Sequence, residues 1–162
     1  GGGIRTIETV RRYLHAGVAR VVLGTAALMD RTFLAQACQE FPRRILLGLD
    51  ARDGKVAVKG WTAVSETKAI DLLKELAGLE LGAVIYTDIA RDGMLNGPNL
   101  TALREVVDCS SFPVIASGGI TRVEDLQAVH ALGPRVEGAI VGKALYDGKL
   151  DYAAAVAAIG KR

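Results

Sequence analysis

Three aspartates stand where chemistry is possible. Asp50 closes the apolar run ILLGLD, Asp88 closes AVIYTD, and Asp92 follows in TDIARDG. A carboxylate held at the end of a buried strand can give or take a proton from a ligand placed above it. The same residue can also cap a loop or pair with a nearby Arg, so position alone does not decide. Thr87 and Asp88 are neighbours, and strand alternation sends their side chains to opposite faces. One of the two therefore faces the helices.

Glycines supply a second kind of chemistry. SGGI (117–120) ends one apolar run and opens a helical pattern, and GKAL (142–145) ends the next run. Glycine lets backbone approach a ligand closely. Exposed amides and a helix start favour an anion. Turn glycines alone would explain either stretch, but the two coupled in this way suit a phosphate cradle. Gly2 and Gly3, with Gly24 and Thr25, make the same arrangement near the start of the chain. Two cradles with carboxylates between them predict a long substrate with a phosphate at each end. Arg5 follows the first glycine pair and can bind a carboxylate or phosphate. Trp61, the sole tryptophan, ends KVAVKGW, where VAV can form a short hairpin and Trp61 a stacking lid.

The elements that must hold these residues are legible from periodicity. Apolar runs at 20–24, 45–50, 83–88, 113–117 and 138–142 are nearly continuous. That pattern suits strands buried on both faces of a parallel sheet. Helical patterns lie between them at 6–17, 30–41, 65–79, 99–108, 121–133 and 151–160. Gly17 suits a helix C-terminus, Asn99 an N-cap, and Thr121 with Glu124 a capping box. The order is that of a βα-repeat protein.

The chain also repeats itself. Gly2, Gly3, Ile4, Glu8 and Gly17 recur as Gly118, Gly119, Ile120, Glu124 and Gly133, and VVLGTAAL (21–28) meets AIVGKALY (139–146). Two complete strand-helix units lie between the copies. Four units taken twice give eight, which points to a (β/α)₈ TIM barrel with pseudo-twofold symmetry. Counting from the repeat, the chain carries about five parallel strands, the fourth to the eighth. The expectation is a single partial barrel domain over 1–162 that lacks its first three strands. A barrel of ~250 residues would place roughly 90 residues upstream. Exposed sheet edges give such a chain a route to self-association.

Composition excludes several classes. The chain has 162 residues, 50% hydrophobic and 23% charged, with a net charge of +2. That charge is too small to point to nucleic acid or a membrane surface. Aromatics make up 5%, which argues against base stacking. Cys38 and Cys109 form no metal or disulfide spacing, and His15 and His130 sit in helical patterns. No metal site is expected from these residues.

Taken together, GGGIR, LGTAAL, LDARDGKVAVKGW, YTDIARDGMLNGPN, IASGGI and VGKALY resemble the phosphoribosylformimino-aminoimidazole carboxamide ribotide isomerases of histidine biosynthesis. The resemblance spans essentially the whole chain. It implies a cofactor-free (β/α)₈ barrel, monomeric at full length and cytoplasmic. The implied reaction is an Amadori rearrangement of a bisphosphate aminoaldose to the aminoketose. It makes Asp50 the general acid, and places Thr87 and Asp92 at the mouth, with Thr87 turned inward. Arg5 and Trp61 become substrate-binding residues. Gly2, Gly3, Gly24 and Thr25 form one phosphate site, and Gly118, Gly119, Gly142 and Lys143 the other. The family's general base lies on the first strand, so the chain alone is expected to be inactive. The cyclase subunit of imidazole glycerol phosphate synthase, an isomerase also serving tryptophan biosynthesis, and a non-catalytic phosphate-binding half-barrel remain alternatives.

Overall fold

The structure is a computed structural model that describes residues 1–58 and 63–160. In chain order its elements are α1 (Ile7–His15), β1 (Val21–Leu23), α2 (Thr25–Met29), α3 (Arg31–Glu40), β2 (Ile45–Arg52), β3 (Lys55–Val58), β4 (Ala63–Lys68), α4 (Ala69–Glu75), β5 (Ala83–Asp88), α5 (Leu100–Cys109), β6 (Val114–Ser117), α6 (Val123–His130), β7 (Val136–Ile140), α7 (Lys143–Tyr146) and α8 (Tyr152–Ile159).

Five parallel strands run side by side in the order β1-β2-β5-β6-β7. Each pair is joined through a helix, as parallel neighbours require. A hairpin, β3 with β4, continues antiparallel from the C-terminal end of β2. Val56 and Ala57 are buried in that hairpin.

Side-chain alternation divides the sheet into two unlike faces. Leu23, Leu47, Leu49, Val84, Tyr86, Val114 and Ala116 face the helices, where they meet Val10, Leu34, Leu72, Leu73 and Val106. The leucines of this set are under 2% exposed, and each contributes about 2 kcal/mol by leaving water. The opposite face is different. Val22, Gly48, Asp50, Ile85, Ser117 and Ile140 are only partly buried or exposed and form the wall of a cleft. Burial on both faces therefore holds at Leu46 and Ala83, which lie on this same face, and gives way where Val22, Gly48, Asp50, Ile85, Ser117 and Ile140 border the cleft.

Local chemistry accounts for the helix ends. Ile7, Val10 and Leu14 fall on one buried face of α1, and the Thr6 hydroxyl accepts the Thr9 N–H at 3.3 Å. Asn99 caps α5 through Ala102 N–H at 3.2 Å, as the sequence suggests. Two expectations are corrected. The helix drawn over 65–79 begins at Ala69, because Ala63–Lys68 pairs with β3 as a strand. The box at the start of α6 is made by Asp125 rather than Thr121 and Glu124. Its Oδ2 accepts Thr121 N–H at 2.9 Å and Arg122 N–H at 3.1 Å, while the Thr121 hydroxyl donates to Gly119 O. The two short helices α2 and α7 follow the strand-end glycines Gly24 and Gly142. They are too short to register as a periodicity.

The internal repeat is present in the backbone itself. Gly2 and Gly3 have φ of 85° and 69°, and their counterparts Gly118 and Gly119 have 98° and 80°. Gly24 and Gly142 precede their helices with φ of −108° and −111°.

Candidate functional site

A cleft of about 450 Å³ opens at the C-terminal ends of the parallel strands. From the start of the chain come Gly2, Gly3 and Arg5, and from the end of β1 come Gly24 and Thr25. Asp50 enters from β2 and Thr87 from β5. Asp50 and Thr87 are direct register partners on adjacent strands. Neighbouring residues on one face bring their side chains together. Thr87 in turn pairs with Ser117 of β6, which also lines the cleft. Asp50 is the one carboxylate among the described residues that line it, and Arg5 is the one cation.

The second glycine set forms its own recess of about 20 Å³, lined by Gly118, Gly119, Gly142 and Lys143 together with Asp92. Ile140, at the end of β7, borders both spaces. Asp92 therefore lines the recess of the second glycine set and not the cleft that holds Asp50. The cause is local: the N–H groups of Arg91 and Asp92 both donate to Asp88 O, at 3.1 and 3.0 Å, and coil the loop toward Gly118. Lys143 lines the recess, but its ammonium is paired with Asp147 at 2.9 Å along α7. Trp61 lies outside the described residues.

Thr87 and Asp88 separate as alternation requires. Thr87 lines the cleft and Asp88 does not. Asp88, 6% exposed, accepts Ala90 N–H on Oδ1 at 3.0 Å and the Asn99 amide on Oδ2 at 2.9 Å. Burial pushes the neighbouring Tyr86 hydroxyl up to about 12, with the charges of Asp88 and Glu105 adding to it. Burial likewise pushes the Cys38 thiol up to about 11, helped by Glu80. That makes Cys38 an unreactive packing residue. Among the described residues no three His, Cys, Asp or Glu side chains are grouped to hold a metal. No helix there is long and apolar enough to cross a membrane.

Residue-level reasoning did not foresee Ser117 or Ile140 in the cleft. The signal was available for Ser117, which immediately precedes Gly118 and lies level with Thr87 once the parallel register is drawn.

The fold and site define a βα-repeat protein with an open cleft at the C-terminal ends of its parallel strands. The chain belongs to the histidine biosynthesis protein family, whose model matches residues 1–151. Its sheet is accordingly that of a partial (β/α)₈ barrel. A relative from Alkalilimnicola ehrlichii is 49% identical over 156 residues, covering 96% of this chain and 63% of the relative. One from a Bradyrhizobium species is 51% identical over 98% of this chain and 65% of the relative. One from Rhodopseudomonas palustris is 50% identical over 99% of this chain and 66% of the relative. All three bear the name 1-(5-phosphoribosyl)-5-((5-phosphoribosylamino)methylideneamino)imidazole-4-carboxamide isomerase. The chain thus spans a little under two thirds of the length of these relatives.

Proposed function

We propose that this chain carries the acid-bearing part and both phosphate cradles of an aldose-ketose isomerase of histidine biosynthesis, acting in the cytoplasm on a bisphosphate aminoaldose without a cofactor. The observation that carries the proposal is the single cleft that gathers Gly2, Gly3, Gly24, Thr25, Arg5, Asp50 and Thr87, with a second glycine recess adjoining it at Ile140. The isomerase names of the relatives favour this reaction over the cyclase alternative.

In this reading the Asp50 carboxyl donates its proton to the ribose ring oxygen. The C1–O bond breaks as the nitrogen lone pair forms the C1=N bond of a Schiff base. Removal of the proton on C2 then gives an enolamine, which tautomerises to the aminoketose. No electrons enter or leave, so the reaction needs no redox partner. The Thr87 hydroxyl, level with Asp50, hydrogen-bonds the opened sugar. Arg5 and the amides around Gly24 hold one phosphate, and those around Gly118 and Gly142 hold the other. Proton abstraction at C2 requires a second group, and Asp50 is the one cleft carboxylate among the described residues. The chain by itself is therefore inactive, and turnover appears when the rest of the barrel is supplied. An isomerase assay on the chain alone, and on the protein expressed from the whole reading frame around it, tests this. Turnover in the longer protein supports the reading, and a folded longer protein with no turnover overturns it.

A further inference from the structure

We infer that Asp88 and Asn99 form a clasp that fixes the second phosphate cradle, acting as positioning residues for a site neither of them lines. The inference rests on the reading of Gly118 and Gly119 as an anion cradle.

Asp88 is the last residue of β5, and Asn99 is the cap of α5. Between them runs the loop that carries Asp92. The Asn99 amide donates to Asp88 Oδ2 at 2.9 Å, so the loop is closed at its base by one side-chain bond. Each partner is committed on its other side as well. Asp88 Oδ1 holds Ala90 N–H at 3.0 Å, and Asn99 Oδ1 holds Ala102 N–H at 3.2 Å. Strand, loop and helix are thereby joined through two short side chains.

The closed loop lies directly against the glycine turn. Gly97 N–H donates to Gly119 O at 3.1 Å. A Cβ on Gly118 would stand 2.7 Å from Asp88 O, and one on Gly119 would stand 2.4 Å from Gly97 O. The turn therefore rests on the two ends of the loop with no space for a side chain between. Asp92, Gly118 and Gly119 then share one recess. Backbone amides bind an anion well only when held in place before it arrives. Within this chain, a Cβ on Gly2 or Gly3 would meet nothing within 4 Å.

Asn99→Asp tests the clasp. It keeps an oxygen to cap α5 and sets a second carboxylate against Asp88. The double variant Asp88→Asn/Asn99→Asp restores an amide-to-carboxylate bond with the partners exchanged. Amide hydrogen exchange at Gly97 reports the clasp without any ligand. Titration with inorganic phosphate, followed at the amides of Gly118 and Gly119 and separately of Gly2 and Gly3, reports the two cradles. In Asn99→Asp we expect faster Gly97 exchange and about tenfold weaker phosphate binding at Gly118 and Gly119. Binding at Gly2 and Gly3 should stay within about twofold, as for distant independent sites. The double variant should recover both readouts. Unchanged Gly97 exchange, equal loss at both cradles, or no recovery in the double variant overturns the clasp. Wild-type protein that shows no phosphate response at Gly118 and Gly119 overturns the cradle reading itself, whatever Gly97 does.

Discussion

In this 162-residue chain, replacing Gly119 with Ala should destabilise the fold far more than replacing Gly3 with Ala, although the two residues are related by the internal repeat. Both have positive φ, +80° and +69°. Placing an Ala there costs about 1–2 kcal/mol, and the stiffer unfolded chain returns about 0.4–1 kcal/mol. At Gly3 nothing lies within 4 Å of the new Cβ, so the net cost there is about 1 kcal/mol. At Gly119 the Cβ would meet Gly97 O at 2.4 Å and Arg91 Cβ at 3.0 Å. Relief requires the backbones to part by several tenths of an ångström, which adds about 1–3 kcal/mol. It also breaks the Gly97 N–H bond to Gly119 O, worth about 1 kcal/mol. The total is about 3–5 kcal/mol at Gly119, or roughly 6–20 °C in Tm for a chain of this size. Urea unfolding followed by far-UV circular dichroism measures both variants. Equal losses, or a Gly119→Ala protein as stable as Gly3→Ala, would show that the loop does not brace the turn.

Burial of Tyr86 makes stability depend on alkaline pH. Its folded pKa is raised to about 12 from about 10 in the unfolded chain, so the folded state holds the proton more tightly. The contribution is complete below pH ~10 and is lost as pH rises toward 12, by about 2–3 kcal/mol. Chemical unfolding at pH 9 and pH 11 should show that slope, and Tyr86→Phe should flatten it. Leu47→Ala, at a side chain with no exposure between sheet and helices, should cost about 2–5 kcal/mol, read as a lowered urea midpoint with unchanged slope. Thr6→Ala should cost about 1 kcal/mol through loss of the α1 cap, read in the same way.

Most of the architecture was legible because buried strands and amphipathic helices write their periods into the chain. All five parallel strands lie where the apolar runs place them, within a few residues. Elements below one clear period escaped: α2 and α7 contain too few residues to show a helical face. Lys68 and its neighbours were drawn into α4 because alternation over a six-residue strand is easily absorbed into a following helix. At the site, the glycine sets and Asp50 were visible as residue types at strand ends, whereas alternation left Thr87 and Asp88 open and only the family resemblance turned Thr87 inward. The grouping of Asp92 with the second cradle was not visible, because it depends on backbone bonds to Asp88 O that no side-chain pattern records. Asn99 shows the same limit. Its capping role is local and readable, whereas its bond to Asp88 spans a whole loop.

The most direct test of the account is turnover of the bisphosphate aminoaldose by the protein expressed from the whole reading frame around this chain, with wild type set against Asp50→Asn. The account predicts turnover by the wild type and a loss of about 10²–10⁴-fold in kcat for the variant, the usual size of a general-acid contribution. Undiminished turnover in Asp50→Asn would contradict the assignment of Asp50 as the acid.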